Sequence, residues 1–335
     1  MDQQRLQQIL KTASERKILV LGDLMLDEFV WGNVVRISPE APVPIVDVER
    51  ESSYPGGAAN VARNLRQFCT EVHVLGRIGC DRAGEKLTEL MDQEGLQTDG
   101  LLATEEIPTI VKTRIIAQHQ QIVRVDREKS HLPSEEFFQA AVAKIQAILP
   151  TVDAILFEDY NKGFLNQSLV NILLKEAKAL HKIVTSDPHP KNQLEWPGIA
   201  VIKPNRTEAF AAAGVPWTSP VSPVLEDKAL LEVGKKLLQR WGSEALLITL
   251  GEQGMMLFRQ DQQPYHTPTR AKEIYDVSGA GDTAIALYTL GIASGATPEE
   301  AAELANHGAG IVVGKLGTAT CSPEELANSF LNVMK

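Results

Sequence analysis

The stretch Asp276-Val277-Ser278-Gly279-Ala280-Gly281-Asp282-Thr283 sets two glycines and an acid where an apolar helical pattern begins, with Ala284, Ile285, Leu287, Leu290 and Ile292 following. The spacing predicts a helix from about Ala280. Its first N–H groups lack intrahelical acceptors and, with the positive end of the helix dipole, favour an anion. Gly279 and Gly281 let the backbone approach such a ligand with no side chain between. A carboxylate at Asp282 would repel bound phosphate unless it had a task. The task that fits is removal of a proton from a hydroxyl that attacks phosphorus. Two other readings compete. Gly279-x-Gly281-x-x-Ala284 loosely satisfies the dinucleotide fingerprint, but that motif opens a βαβ unit with a second half following, and too little chain remains here. A glycine-rich helix start can also serve close packing alone. No GxxxxGK[ST] phosphate loop occurs, so a nucleotide would be held by other means.

At 335 residues, 44% hydrophobic and 23% charged, the chain has a soluble composition and enough length for a large core. The uncharged run 283–298 is too short and glycine-rich to span a bilayer, and no apolar block follows Met1-Asp2-Gln3-Gln4-Arg5. A cytoplasmic protein with no membrane contact and no secretory signal is expected. The net charge of −10 argues against a nucleic-acid partner and makes the cationic partners of any anionic substrate few and local. Cys69, Cys80 and Cys321 lack a CxxC pair, which fits reduced thiols, and the histidines show no metal-ligand spacing.

Upstream, Lys17-Ile18-Leu19-Val20-Leu21-Gly22-Asp23 reads as a buried parallel strand, and ligands of open α/β sheets gather at such strand ends. Asp23 and Asp27, four apart, suit hydrogen bonds to a polyol; a solvated turn is the plain alternative. Gly56-Gly57-Ala58-Ala59-Asn60 predicts a glycine-led helix start whose N–H groups and amide can grip sugar hydroxyls, or simply pack tightly. Two regions break the α/β pattern. Residues 30–51 are interrupted by Pro39, Pro42 and Pro44, and residues 109–126 alternate as Ile110, Lys112, Arg114, Ile116. They predict a small β lid from insertions around residues 30–55 and 107–128, with an apolar outer face able to pair with its copy in a homodimer. Elsewhere strands near 153–157, 183–187, 199–203 and 245–249 alternate with helices. The expected architecture is α/β: one domain over residues 1–335, a mostly parallel central sheet with helices on both faces, plus the lid.

Four blocks standing in order, Gly22-Asp23, Gly56-Gly57-x-x-Asn60, Asn205-x-x-Glu208 and Asp276-x-x-Gly279-Ala280-Gly281-Asp282, resemble the ribokinase-like (PfkB) carbohydrate kinases along nearly the whole chain. Within that family the chain is similar to the heptose 7-phosphate kinases. That likeness is carried by Arg36-Ile37-Ser38-Pro39-Glu40-Ala41-Pro42-Val43-Pro44, Gln120-Gln121 before Arg124-Val125-Asp126, Asp159-Tyr160-x-Lys162-Gly163, and Val313-Gly314-Lys315-Leu316-Gly317-Thr318. The resemblance implies a ribokinase-like three-layer domain and a role for each matching position. Asp282 would be the catalytic base, and the N–H groups of Gly279, Ala280 and Gly281 the anion hole. Asn205 and Glu208 would organise hydrated Mg²⁺ on the nucleotide. Thr249, Gly251 and Gly254 would line the phosphate and ribose end of ATP, with Asn306 near the adenine. Asp23, Asp27, Gly56, Gly57 and Asn60 would hold the sugar, and Asp276 would help to bind a monovalent cation, K⁺ in some relatives.

The implied reaction is ATP-dependent phosphorylation of the anomeric hydroxyl of D-glycero-β-D-manno-heptose 7-phosphate, a precursor step for ADP-heptose and cell-surface polysaccharide. The substrate's own phosphate then needs cations, for which Arg36 and Arg114 on the lid and Lys162 at a strand exit are the candidates. Some positions depart from the family pattern: Ala284 and Ala286 after the base, Glu158 and Asn161 around Asp159-Tyr160, and Asp187-Pro188-His189-Pro190-Lys191. They bear on the sugar rather than on kinase chemistry. The alternative is a kinase of the same family for another sugar or sugar phosphate. A sugar-binding regulator without chemistry is the rival class, and the presence of Asp282, Asn205 and Glu208 argues against it. The end at Lys335, without the nucleotidyl-transferring domain of some heptose kinases, leads us to expect a single activity.

Overall fold

The structure is a computed structural model that describes residues 1–331 except 119, 130, 272 and 316; those four, Leu316 of the 313–318 stretch among them, and 332–335 lie outside the described residues. The first half of the chain runs α1 (Gln3–Ala13), β1 (Lys17–Gly22), β2 (Leu24–Ile37), β3 (Pro44–Gly57), α2 (Ala58–Arg66), β4 (Glu71–Gly79), α3 (Arg82–Gln93), β5 (Gln97–Thr104), β6 (Ile110–Ala117), β7 (Gln120–Arg127), α4 (Glu135–Ile148) and β8 (Ala154–Glu158). The second half runs α5 (Gln167–Ala179), β9 (Ile183–Asp187), β10 (Val201–Ile202), α6 (Arg206–Ala213), α7 (Lys228–Trp241), β11 (Ala245–Thr249), β12 (Met255–Arg259), β13 (Tyr265–Thr267), α8 (Ala280–Ala293), α9 (Pro298–Val312) and α10 (Pro323–Leu331).

Among the described residues the main sheet has the order β13-β12-β11-β10-β9-β8-β1-β4-β5. It is parallel from β11 through β5 and antiparallel only at the β11–β12 and β12–β13 pairings. The uncharged run of β1 is explained by its place inside this sheet, where both faces are covered. Ile18 and Val20 pack in a cluster with Val61 of α2, Ile285 of α8 and Leu304 of α9. Leu19 and Leu21 point to the other face and pack with Ile145 of α4, Leu173 of α5 and Leu237 of α7. Each such side chain contributes roughly 1.5–3 kcal/mol by leaving water. The three-layer expectation therefore holds.

The second sheet, of order β3-β2-β6-β7, is the lid. It is longer than the proline pattern suggested. β2 starts at Leu24, directly after β1, because Leu24 and Leu26 are buried at the lid's root; only the outer part, Val35 to Ile37, is exposed. Gly56 and Gly57 likewise end β3 instead of opening a helix, and α2 begins one residue later. The edge strands β5 and β13, the strand β12 beside β13, and the helix α1 have no counterpart in the sequence-based expectation. The three cysteines are free, with Cys69 and Cys321 buried. Among the described residues no helix is long and apolar enough to cross a membrane.

Candidate active site

The α8 N-terminus lies beyond the C-terminal ends of the parallel strands, and Gly279 caps it with φ +78°, a conformation that L side chains rarely adopt. A Cβ at Gly279 would also stand 2.9 Å from the Asn60 Nδ2. Of the three N–H groups expected to form an anion hole, that of Ala280 donates to the Val277 carbonyl at 3.3 Å. Those of Gly279 and Gly281 have no backbone acceptor among the described residues, so these two are the hole's available donors.

Asp282 sits in the first turn of α8 and is buried. Its Oδ2 accepts from the Asn60 Nδ2 at 2.7 Å and its Oδ1 from the Tyr160 hydroxyl at 3.0 Å. The two helices are zipped one residue further on, where Thr283 Oγ1 donates to Asn64 Oδ1 at 2.9 Å. Burial raises the Asp282 carboxyl above its ordinary range, while the hydrogen bonds from Asn60 and Tyr160 and the nearby Lys203 ammonium draw it back. Asn60 is fully buried, and its Oδ1 has no hydrogen-bond partner among the described residues. A buried orphan acceptor beside Asp282 suits a ligand hydroxyl.

Asp282 and Gly281 open onto a cavity of about 510 Å³ that Asn205, Glu208, Thr249 and Gly251 also line. Asn205 and Glu208 form a capping box on α6: Asn205 Oδ1 accepts from the Glu208 N–H at 2.9 Å, and Glu208 Oε2 accepts from the Asn205 N–H at 2.8 Å. The pair thus has a structural task that the sequence reading did not separate from metal binding. Among the described residues no group of three His, Cys, Asp or Glu side chains is arranged to hold a metal ion alone. The remaining oxygen of Glu208 suits a metal that keeps water and phosphate ligands. A second cavity, of about 190 Å³, adjoins the first and is walled by Met255, Ile274, Val277 and Val313. Gly254 and Asn306 also line it, and Asn306 spends its amide on the Thr267 and Pro268 carbonyls, so it fixes the wall.

Beneath the α8 N-terminus is a charge that the sequence reading passed over. Lys203, directly after β10 and buried, places its Nζ 2.7 Å from Asp187 Oδ2 and 3.3 Å from where a Cβ of Gly281 would lie. Burial alone would lower its ammonium, but Asp187, Glu158 and Glu208 hold it above its ordinary value. Burial pushes Asp187 up to about 7 against the pull of Lys203. Glu158 is raised well above the carboxylate range by burial and then by Asp187 and Asp282, and its Oε2 has no partner among the described residues. We read it as a neutral acid beside an Asp187–Lys203 ion pair.

The residues expected to hold the sugar are brought to the root of the second sheet. Asp27 Oδ1 pairs with the Arg114 Nη1 at 2.5 Å, and a Cβ on Gly56 would come within 2.2 Å of Asp27 Oδ2, so glycine is required there. Gly57 carries φ +59° at the α2 N-terminus. Asp23 has a structural task of its own. Its Oδ2 accepts from the N–H groups of Tyr160 at 2.9 Å and Lys162 at 3.0 Å, which fastens the loop after β8. Lys162 Nζ reaches Glu128 Oε1 at 2.8 Å, and Lys112 Nζ reaches Glu128 Oε2 at 3.3 Å. Arg36 is exposed on the outer part of the lid, apart from these groups. Asp276 accepts from Ser278 N–H through Oδ1 at 2.9 Å and from Gly317 N–H through Oδ2 at 3.2 Å, joining the two loops beside α8.

The sequence profile of the pfkB family carbohydrate kinases matches residues 15–325. The bifunctional protein HldE of Desulfatibacillum aliphaticivorans is 42% identical over 314 residues, covering 93% of this chain and 63% of the relative. That of Vibrio vulnificus (strain CMCP6) is 39% identical over 322 residues, covering 96% and 65%. The chain spans just under two thirds of the length of these relatives. Among solved structures, Escherichia coli phosphofructokinase-2 in complex with potassium superposes with a TM-score of 0.75 at 15% identity, covering 96% of this chain and 100% of that one. Arabidopsis thaliana ribokinase complexed with ribose and ATP gives 0.67 at 19% identity, covering 96% and 99%. At these identities the likeness is one of fold.

Proposed function

Because the chain belongs to the pfkB family of carbohydrate kinases, we propose that it transfers the γ-phosphoryl group of ATP to the anomeric hydroxyl of a heptose 7-phosphate. The observation that carries the proposal is Asp282: a buried carboxylate at a helix N-terminus, gripped through both oxygens and opening onto the cavity of Asn205 and Glu208. Asp282 takes the hydroxyl proton as oxygen attacks phosphorus. The N–H groups of Gly279 and Gly281 and the Lys203 ammonium face the charge that develops, and the phosphate end of ATP lies along Thr249 and Gly251. Asn205 and Glu208 would hold hydrated Mg²⁺, which would supply charge neutralisation on the phosphates. Asp276, which joins the two loops beside α8, would order them for a monovalent cation such as K⁺. The heptose assignment leans on the likeness to the two HldE proteins and on the sequence motifs given above.

A dimer through the lid belongs to the same proposal. Val35, Ile37, Val48, Ile122, Val123 and Val125 are all exposed on the lid sheet, a concentration of apolar surface that a second copy would cover. ATP as co-substrate places the enzyme in the cytoplasm.

The substrate's phosphate is tested at Lys162, whose ammonium meets that of Lys112 across Glu128. A direct ammonium–phosphate contact is charge-assisted, so Lys162→Ala is expected to raise the KM for heptose 7-phosphate at least about tenfold and leave that for ATP nearly unchanged. Steady-state kinetics in each substrate decides it. An unchanged KM for the sugar phosphate would return Lys162 to its ion pair with Glu128 as a surface charge.

A further inference from the structure

The loop that leaves β8 is held from two sides. Asp23 Oδ2 accepts from the N–H groups of Tyr160 and Lys162, and Arg77 Nη2 donates to the carbonyls of Lys162 at 3.1 Å and His131 at 2.9 Å. Asp159 Oδ1 accepts from the Asn161 N–H at 2.8 Å, and Asn161 adopts φ +56°. This bracing delivers the Tyr160 hydroxyl to within 3.0 Å of Asp282 Oδ1, opposite the Asn60 amide on Oδ2. Two donors on opposite oxygens fix the rotation of the carboxyl plane and leave each oxygen one further acceptor direction.

We propose that Tyr160 is a positioning residue for phosphoryl transfer: its hydroxyl, braced by Asp23, aims the Asp282 carboxylate so that a free lone pair meets the attacking hydroxyl. The proposal rests on Asp282 being the base. In the step, the sugar O–H bond breaks as the O–P bond forms, and the P–O bond to the nucleotide breaks with its electron pair leaving on ADP. The proton ends on Asp282, and Tyr160 gives none up. Burial, and next the charge of Asp282, pushes the Tyr160 phenol well above its ordinary value, so it stays a donor throughout. The groups facing Asp282 are Asn60 from α2, Tyr160 from the β8 loop, Lys203 after β10 and Asp27 from β2, with Glu158 and Asp187 at the ends of β8 and β9. Asn60, Tyr160 and Lys203 draw the base down, so removing the phenol hydroxyl leaves it easier to protonate.

Tyr160→Phe removes one oxygen atom and keeps the ring. Its acidic limb in the pH profile of kcat is expected to move up by about one pH unit, and the plateau to fall about tenfold, with the KM for ATP within about twofold. In an Asp282→Asn background the same change should alter the residual rate by less than about twofold, since it acts through the carboxylate. Should Tyr160→Phe fail to fold, a fluorotyrosine at position 160, a stronger donor of nearly the same shape, is expected to move the limb down. An acidic limb that stays in place, or an equal loss with and without the Asp282 carboxylate, overturns the role of Tyr160. Near-parental turnover by Asp282→Asn alone would instead overturn the base, independently of Tyr160.

Discussion

Asp282→Asn is expected to lower kcat by at least about a hundredfold while ATP still binds. The amide keeps the volume of the carboxyl group and can still accept the Tyr160 hydroxyl, but it cannot take up the proton of an attacking alcohol. It also turns one amide against another at Asn60, whose Nδ2 now donates to Asp282 at 2.7 Å. The anion hole belongs to the backbone of Gly279 and Gly281, so nucleotide affinity should change little. Turnover and calorimetric ATP binding, measured on the same preparation, check both halves. Turnover within a few-fold of the parent would mean that another group is the base.

Lys203→Met is expected to cost both stability and turnover. The ammonium is 3% exposed, and its removal leaves Asp187 without its partner beside Glu158 and Asp282. Breaking a buried pair by deleting one member costs about 3–5 kcal/mol. Turnover should drop on the order of a hundredfold, since a fixed positive charge beside the anion hole disappears. The pH dependence has a definite sign. Asp187 is raised to about 7 in the folded protein, against about 3.9 when unfolded. A group raised on folding contributes stability that is full below the unfolded value and is lost as pH rises through the folded one. Without Lys203 to oppose the rise, thermal stability of the variant should fall more steeply than the parent's between about pH 5 and pH 8. Equal melting curves for the two proteins across that range would make the pair dispensable.

The parallel sheet was legible because its central strands are buried on both faces and so read as unbroken apolar runs such as Ile18 to Leu21. The helix of the base was legible because glycine, acid and apolar period coincide within a few residues. Edge strands were not. Tyr265–Thr267 spans only three residues, and Gln97–Thr104 mixes exposed polar with half-buried side chains, so neither carries a clean period. The lid's root was hidden because Leu24 and Leu26 look like a continuation of the strand before them.

At the site, the types of residue could be read but not their partners. Asp23 stands at a strand end, where a ligand group is expected, yet its carboxylate holds two backbone amides from a loop more than a hundred residues away. The Asn205-x-x-Glu208 spacing is that of a capping box as well as of a metal site, and the structure shows the cap. Lys203 carried one usable signal, a lysine closing a buried strand, where a charge persists only if it is paired. Tyr160 carried none, because nothing in its neighbours says that its ring crosses to Asp282.

The central claim is transfer of phosphate to the anomeric oxygen of a sugar that already carries one. It is tested most directly by following ATP turnover on D-glycero-β-D-manno-heptose 7-phosphate, free heptose, ribose and fructose, with phosphorus NMR of the product. The expected result is a kcat/KM for the 7-phosphate at least about thirtyfold above any free sugar, the roughly 2 kcal/mol of a charge-assisted phosphate contact, and a product bearing phosphate at positions 1 and 7. Preference for a free sugar, or a new phosphate at any position other than the anomeric one, would contradict it.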